Sequence, residues 1–180
     1  MNVPIYIGDI DRAADMNEQQ IQDRVWQIIE QVHICMFVTH GRDGLRARPL
    51  DARADREGGL IYFLTDMRGT KDNEVIKDEH VCMTFLDPKE KAYLSITGKA
   101  TIVKDADLAK TYWRKGDEVW WPQREYDPNL LVVRVIPEVA ELWDGPASSN
   151  VASLEFALAR ATGTKPNLGE NRKVSVSMKH

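Results

Sequence analysis

Residues 33–66 read HICMFVTHGRDGLRARPLDARADREGGLIYFLTD, and three strands can be laid along them. Ile34–Thr39 is a short apolar run of strand formers, and the HGRDG behind it holds the glycine and aspartate a turn needs. The second arm, residues 45–52, alternates Leu45 and Ala47 with Arg46 and Arg48 before Pro49, a residue confined to a sheet edge, a bulge or a strand end. Arg56-Glu57-Gly58-Gly59 then turns the chain into LIYFLT. The expected arrangement is antiparallel, with strands 45–52 and 59–65 paired so that Arg48 lies beside the segment after Thr65.

N-terminal to this stretch the period changes. Ile21, Val25, Ile28, Ile29 and Val32 follow helical spacing, and Asn17 followed by Gln20 gives a capping-box signal. C-terminal to it, a short helix capped by Thr70 with Asp72 and Glu74 in its first turn is expected. HVCMTFL, KAYLSIT and KATIVK read as three strands separated by DPKEK and Gly98, and Asp105 can cap a helix running to about Lys115. After a tryptophan-rich connector come LLVVRVIP and VAELWDG as β-structure, SLEFALARA as a helix and RKVSVSM as a terminal strand. Short, regularly spaced strands with few crossovers predict a mainly β, α+β fold. The expectation is a six-stranded antiparallel barrel of Greek-key type, closed or nearly so, because closure removes exposed edges. One domain spans 1–180: an arm over 1–16, a helix over 17–32, the barrel with inserted helices over 33–144, and a C-terminal helix and tail over 145–180.

The bulk properties narrow the function. At 180 residues and 43% hydrophobic content the chain can build one real core. Its formal charge of −4 is the wrong sign for gathering nucleic-acid backbones. No apolar run approaches the roughly 18 residues of a membrane span, and the acidic start lacks a signal peptide's apolar stretch, so a cytoplasmic protein with neither nucleic-acid nor membrane partners is expected. Cys35 and Cys82 lie in apolar runs without a CxxC partner and read as small core residues.

Three stretches could carry chemistry. Arg46 and Arg48 share one strand face, and guanidinium groups suit phosphate oxygens, although a solvated face explains them as well. Thr65–Lys71 runs from a strand end through a glycine turn to a helix start, where free backbone N–H groups, Thr70 and Lys71 can cradle an anion; plain helix capping is the alternative, since Walker spacing is missing. Trp113, Trp120, Trp121 and Tyr126 crowd the connector, with Trp143 beyond, and suit core packing, a subunit contact or a stacked planar ring. The four histidines lack metal spacing or an evident carboxylate partner, and Ser148-Ser149 is turn material rather than a nucleophile elbow, so no metal and no catalytic triad is expected.

Taken in serial order, the Arg48-Pro49-Leu50 strand end, IYFLTDMRGTK (61–71), HVCMTFLDP (80–88), AYLSITGKATIVKD (92–105), Trp120-Trp121-Pro122-Gln123, IPEVAELWDG (136–145) and TGTKPNLGENRKVSV (162–176) resemble the general stress protein branch of the pyridoxamine 5′-phosphate oxidase-like flavoproteins. The resemblance implies a split barrel, a homodimer and one FMN at each of two sites between subunits. It implies that Arg48 holds the flavin phosphate, with Thr65, Thr70 and Lys71 completing the cradle. Pro49, Leu50 and Asp51 would run beside the ring, Leu64 would pack near the ribityl chain, Tyr93 would make a polar contact, and Trp121 and Trp143 would supply walls. Thr70 and Tyr93 stand where pyridoxamine phosphate oxidases carry an arginine and a glutamine, and their C-terminal arginine–histidine clamp has no counterpart. Vitamin B6 oxidation is therefore not the implied activity.

The implied protein is an FMN-dependent oxidoreductase with a stress-related role, passing electrons between a small-molecule donor and acceptor, and needing no side chain as acid or base. A non-catalytic protein that binds or stores FMN or FAD is the second reading. Haem or a deazaflavin on the same barrel is the third, with His33 or His40 as haem ligands.

Overall fold

The computed structural model describes residues 16–66, 75, 77–144, 149–165 and 171–175, of which 149–155 and 171–175 are described as backbone only. Helix α1, Glu18–Val32, begins at the expected place: Asn17 Oδ1 accepts from Gln20 N at 2.9 Å and Gln20 Oε1 accepts from Asn17 N at 2.9 Å. The strands are β1 (Ile34–Gly41), β2 (Gly44–Asp51), β3 (Arg53–Asp55), β4 (Leu60–Asp66), β5 (His80–Asp87), β6 (Ala92–Val103), β7 (Leu130–Asp144) and β8 (Asn171–Ser175). Helices α2 (Ala106–Thr111) and α3 (Ser149–Thr162) and two 3-10 turns, Asp117–Val119 and Arg124–Tyr126, complete the described elements. Asp105 caps α2 by accepting from Leu108 N, but the helix stops at Thr111, short of the expected Lys115.

All pairings are antiparallel along β2–β1–β5–β6–β7–β4–β3, with β8 beside β7. The terminal strands of this path, β2 and β3, are consecutive in the chain and separated only by Ala52, so the sheet curls round to bring its ends together. It is split-barrel-like and not closed by a ladder. The expectation of six strands is corrected to seven in the path and an eighth at its side.

Two further corrections follow from the ladder. Strands 45–52 and 59–65 do not pair: β2 pairs with β1, while β4 pairs with β3 and β7. The chain breaks at Ala52, whose N–H donates to His33 O at 2.7 Å, and one continuous run cannot pair both with β1 and with β4. Gly98 does not separate two strands either. It lies within β6 at a register shift opposite Pro137, and an added Cβ would meet Ile136 O at 2.4 Å, so the missing side chain lets two backbones approach.

The interior-facing residues of β1, β4, β5, β6 and β7 form one core with the apolar side of α1, including Trp26, Ile29, Phe37, Phe63, Met83, Ile96 and Leu142. Helix α1 plugs one barrel end and is pinned there by buried Arg24, whose Nε and Nη2 donate to Asp144 at 3.0 and 3.3 Å. A smaller core outside β4 joins Tyr62, Leu64, Ala109, Trp121, Leu130 and Val132 under α2 and the connector.

Candidate functional site

Alternation along β2 puts Arg48 on the inward face, opposite the buried Phe37. Its half-buried guanidinium donates to Thr39 Oγ1, at 2.6 Å from Nη2 and 3.3 Å from Nη1, and Thr39 itself is 1% exposed. Phe37 meets Phe63 of β4 edge-on, with ring centroids 5.0 Å apart. Four antiparallel steps separate β1 from β4 along the sheet, so these two strands run the same way. Thr39 and Thr65, each two residues beyond its phenylalanine, therefore sit toward the same barrel end on the inward side. Thr65 is buried. A guanidinium beside a hydroxyl is chemistry suited to a phosphate, and Thr65 lies toward the same end. Thr70 and Lys71, the other expected cradle residues, lie outside the described residues.

The outward face carries the opposite character. Pro49 lies across from Met36, Asp51 from Ile34, and Tyr93 from both Leu86 and Trp143. Ile34, Met36 and Leu86 are exposed, as are Tyr93 at 53% and Trp143 at 36%, so apolar and aromatic surface extends across five strands. Tyr93 and Trp143 are thus brought together. Trp121 is not with them: it is 6% exposed in the smaller core with Leu64, where its Nε1–H has no partner among the described residues. Leu50 packs against the main core. In that smaller core Tyr62 and Tyr112 stack at 4.3 Å, and burial with a hydrogen bond to Asp55 pushes the Tyr112 phenol well above its ordinary range.

Between the two faces, at the end of β2, stands a charge network that the sequence did not disclose. Arg53 Nη1 donates to Asp51 O at 2.6 Å and lies 2.7 Å from Asp51 Oδ2, while Nη2 reaches Asp117 Oδ1 at 2.9 Å and Oδ2 at 3.0 Å. Arg114 Nη1 donates to Asp51 Oδ1 at 2.6 Å and Nη2 to Ala52 O at 3.2 Å. His33 Nδ1 is 3.0 Å from the same Asp51 Oδ1. The expectation that no histidine has a carboxylate partner is corrected here, and again at Asp78, which lies 2.9 Å from His80 Nδ1 and 3.7 Å from His40 Nδ1. One signal was available. The Arg42–Asp43 turn sets the hairpin register, and counting back from it puts Ile34 opposite Asp51 and His33 at its side. Among the described residues no three His, Cys, Asp or Glu side chains are grouped to hold a metal ion, and no helix is long and apolar enough to cross a membrane.

A family profile described as "pyridoxamine 5′-phosphate oxidase like" matches residues 20–167. General stress protein 26 of Bacillus subtilis is 27% identical over 148 residues, 78% of this chain and the whole of that protein. A protein of Jannaschia sp. CCS1 provisionally called general stress protein 26 superposes with a TM-score of 0.70 at 20% identity, covering 88% of this chain and 99% of that one. A protein of Xanthomonas citri described as a general stress FMN/FAD binding protein superposes with a TM-score of 0.65 at 23% identity, over 72% of this chain and 92% of that one. At these identities the two structures establish a shared fold.

Proposed function

Since the chain belongs to the pyridoxamine 5′-phosphate oxidase-like family, we propose that it is a cytoplasmic FMN-binding oxidoreductase with a stress-related role, working as a homodimer between a small-molecule electron donor and acceptor. The observation that carries this reading is the inward-facing Arg48–Thr39 pair, with buried Thr65 on the inward side of β4 toward the same end, beside an end strand that leads to exposed aromatic surface. A dianionic phosphate suits the first part, because hydrogen bonds from a guanidinium are roughly twice as strong as neutral ones. A planar tricyclic ring suits the second.

Arg48 and Thr65 would hold the phosphate with Thr70 and Lys71. Pro49, Leu50 and Asp51 would follow the cofactor along β2. Tyr93 and Trp143 would flank its ring, with Leu64 and Trp121 behind the ribityl side. The ring supplies hydride and single-electron chemistry when bound; the chain binds it, orients it and excludes water. Apolar surface from Ile34 to Trp143 is of the kind that a second copy covers, because soluble monomers rarely leave such patches open.

An absorption spectrum of freshly purified protein, with mass spectrometry of whatever heat releases, tests the reading, followed by titration of the apoprotein with FMN and FAD. Flavin bands and FMN-selective binding are expected; absence of binding to either flavin overturns the proposal. Rapid bleaching on mixing with NADH or NADPH separates an oxidoreductase from a storage protein, and a Soret band would point to haem instead.

A further inference from the structure

We propose that His33, oriented by Asp51, is the proton-transfer residue of this site, serving the two-electron reduction of a small electron-poor acceptor; the inference rests on the flavoprotein reading above. His33 occupies an uncommon backbone conformation for a side chain with a Cβ, φ 44° and ψ −32°, at the joint between α1 and β1. Bonds on both sides hold it there: its N–H donates to Ile29 O at 3.0 Å and its O accepts from Ala52 N at 2.7 Å. Non-glycine residues in sparsely populated backbone regions persist where the surrounding structure over-determines them, and they cluster at functional sites.

The side chain is equally defined. An ionised carboxylate only accepts, so the 3.0 Å contact between His33 Nδ1 and Asp51 Oδ1 assigns the ring's proton to Nδ1. Nε2 is then a bare acceptor in the neutral ring and a donor in the cation, and no described residue bonds to it. The ring is 45% exposed. Asp51 cannot swing away, because Arg114 holds Oδ1 and Arg53 holds Oδ2, with Asp117 clamping Arg53 from behind. Those four groups are the charged neighbours on the β2–β3 and connector side. Asp87, Lys89 and Glu90 line the groove of about 400 Å³ that runs past Gln31 and Val32 at the end of α1.

Position completes the argument. Asp51 follows Arg48 by three residues on β2, about 10 Å along a strand. The odd spacing puts Asp51 on the opposite face from Arg48, but β2 is an end strand of the sheet, so a ligand whose phosphate meets Arg48 and whose body passes round that edge ends beside His33. Reducing an acceptor by two electrons consumes a hydride equivalent and a proton. A bound flavin, reduced by a nicotinamide donor, would supply the first; His33 Nε2–H would give the second to the acceptor atom left anionic, and solvent water would reprotonate the half-exposed ring.

His33→Asn tests the assignment, since asparagine is among the residues most often found at positive φ and its amide can still donate to Asp51, but it does not titrate. In FMN-loaded wild type, acceptor reduction should decline with rising pH as the ring loses its proton. In H33N that limb should vanish, with kcat down about a hundredfold or more and KM nearly unchanged. A readout independent of turnover is 15N NMR of the imidazole: Nδ1–H in the apoprotein, a shifted Nε2 on adding FMN, and loss of the fixed tautomer in Asp51→Asn. An identical pH limb in H33N, or an unmoved His33 Nε2 while FMN binds, overturns this inference and leaves the flavoprotein reading intact. Failure of the wild type to bind flavin overturns both. Should H33N not fold by circular dichroism, the wild-type NMR titration decides alone.

Discussion

Phe37 and Phe63 meet edge to face across the barrel interior, 5.0 Å between centroids and 67° between planes, and this contact ties the strand opposite Arg48 to the strand that carries Thr65. The two strands are not hydrogen-bonded to each other. Their shared geometry is thus a property of core packing rather than of a ladder. Phe37→Ala should cost about 3–5 kcal/mol in urea unfolding, as truncation of a fully buried phenylalanine does. Phe37→Leu, which keeps most of the volume, should cost far less. If the packing holds the anion site together, FMN affinity falls with the first and is largely kept with the second.

Arg48→Ala removes a charged donor from the proposed phosphate site without opening the core. Charge-assisted hydrogen bonds contribute about 1.5–3 kcal/mol, so FMN affinity should fall roughly ten- to a hundredfold by calorimetry. Riboflavin, lacking the phosphate, should lose almost nothing. Equal losses for both ligands would place Arg48 away from the phosphate.

Leu86→Lys places a charge in the exposed apolar row beside Tyr93. If a second copy covers that row, sedimentation equilibrium should show a dimer for the wild type and a monomer for the variant, because a charge buried without a partner is strongly disfavoured. A wild-type monomer would remove the dimer from the proposal.

Cys35 is buried in the main core, and desolvation pushes its thiol up from 9.0 to about 12. The folded state therefore holds this proton more firmly than the unfolded one. The contribution to stability is complete below pH 9 and is lost as pH rises from there toward 12. At pH 8 native protein should resist iodoacetamide at Cys35, while half-buried Cys82 labels ahead of it; peptide mass spectrometry reads the order.

How far the fold could be read from sequence depends on how local each determinant is. The α1 cap joins Asn17 to Gln20 and was legible; the β1–β2 hairpin closes through a two-residue turn and was legible as well. The break at Ala52 was not, because the bond that enforces it comes from His33, nineteen positions earlier on the far side of the hairpin. Gly98 looked like punctuation, but it faces a bulge at Glu138 of β7, and its need appears only when Ile136 and Pro137 arrive against it. The site divides in the same way. Arg48 and Thr65 announce themselves by type, whereas of the Asp51 network, which joins residues 33, 51, 53, 114 and 117, only the nearness of His33 to Asp51 follows from the hairpin register.

That network supports the last prediction. Arg53 is almost fully buried, and its Nη2 is shared between both Asp117 oxygens at 2.9 and 3.0 Å, while Asp117 Oδ2 also accepts from Arg114 N at 2.7 Å. Asp117→Asn removes the anion and turns an N–H₂ toward a guanidinium that cannot lose its proton. Breaking a buried pair from one side costs about 3–5 kcal/mol, a large share of a typical domain's stability. The damage should concentrate in the connector, because Asp117 and Arg114 together anchor residues 114–121 to the β2–β3 junction. Tryptophan emission should shift to the red as buried Trp121 meets water. Replacing both partners, Arg53→Met with Asp117→Leu, removes the orphaned charge and should recover stability only in part, since Arg53 also donates to Asp51 O and Tyr112 O. A double variant no more stable than Asp117→Asn would show that Arg53 matters chiefly through Asp51 rather than through Asp117.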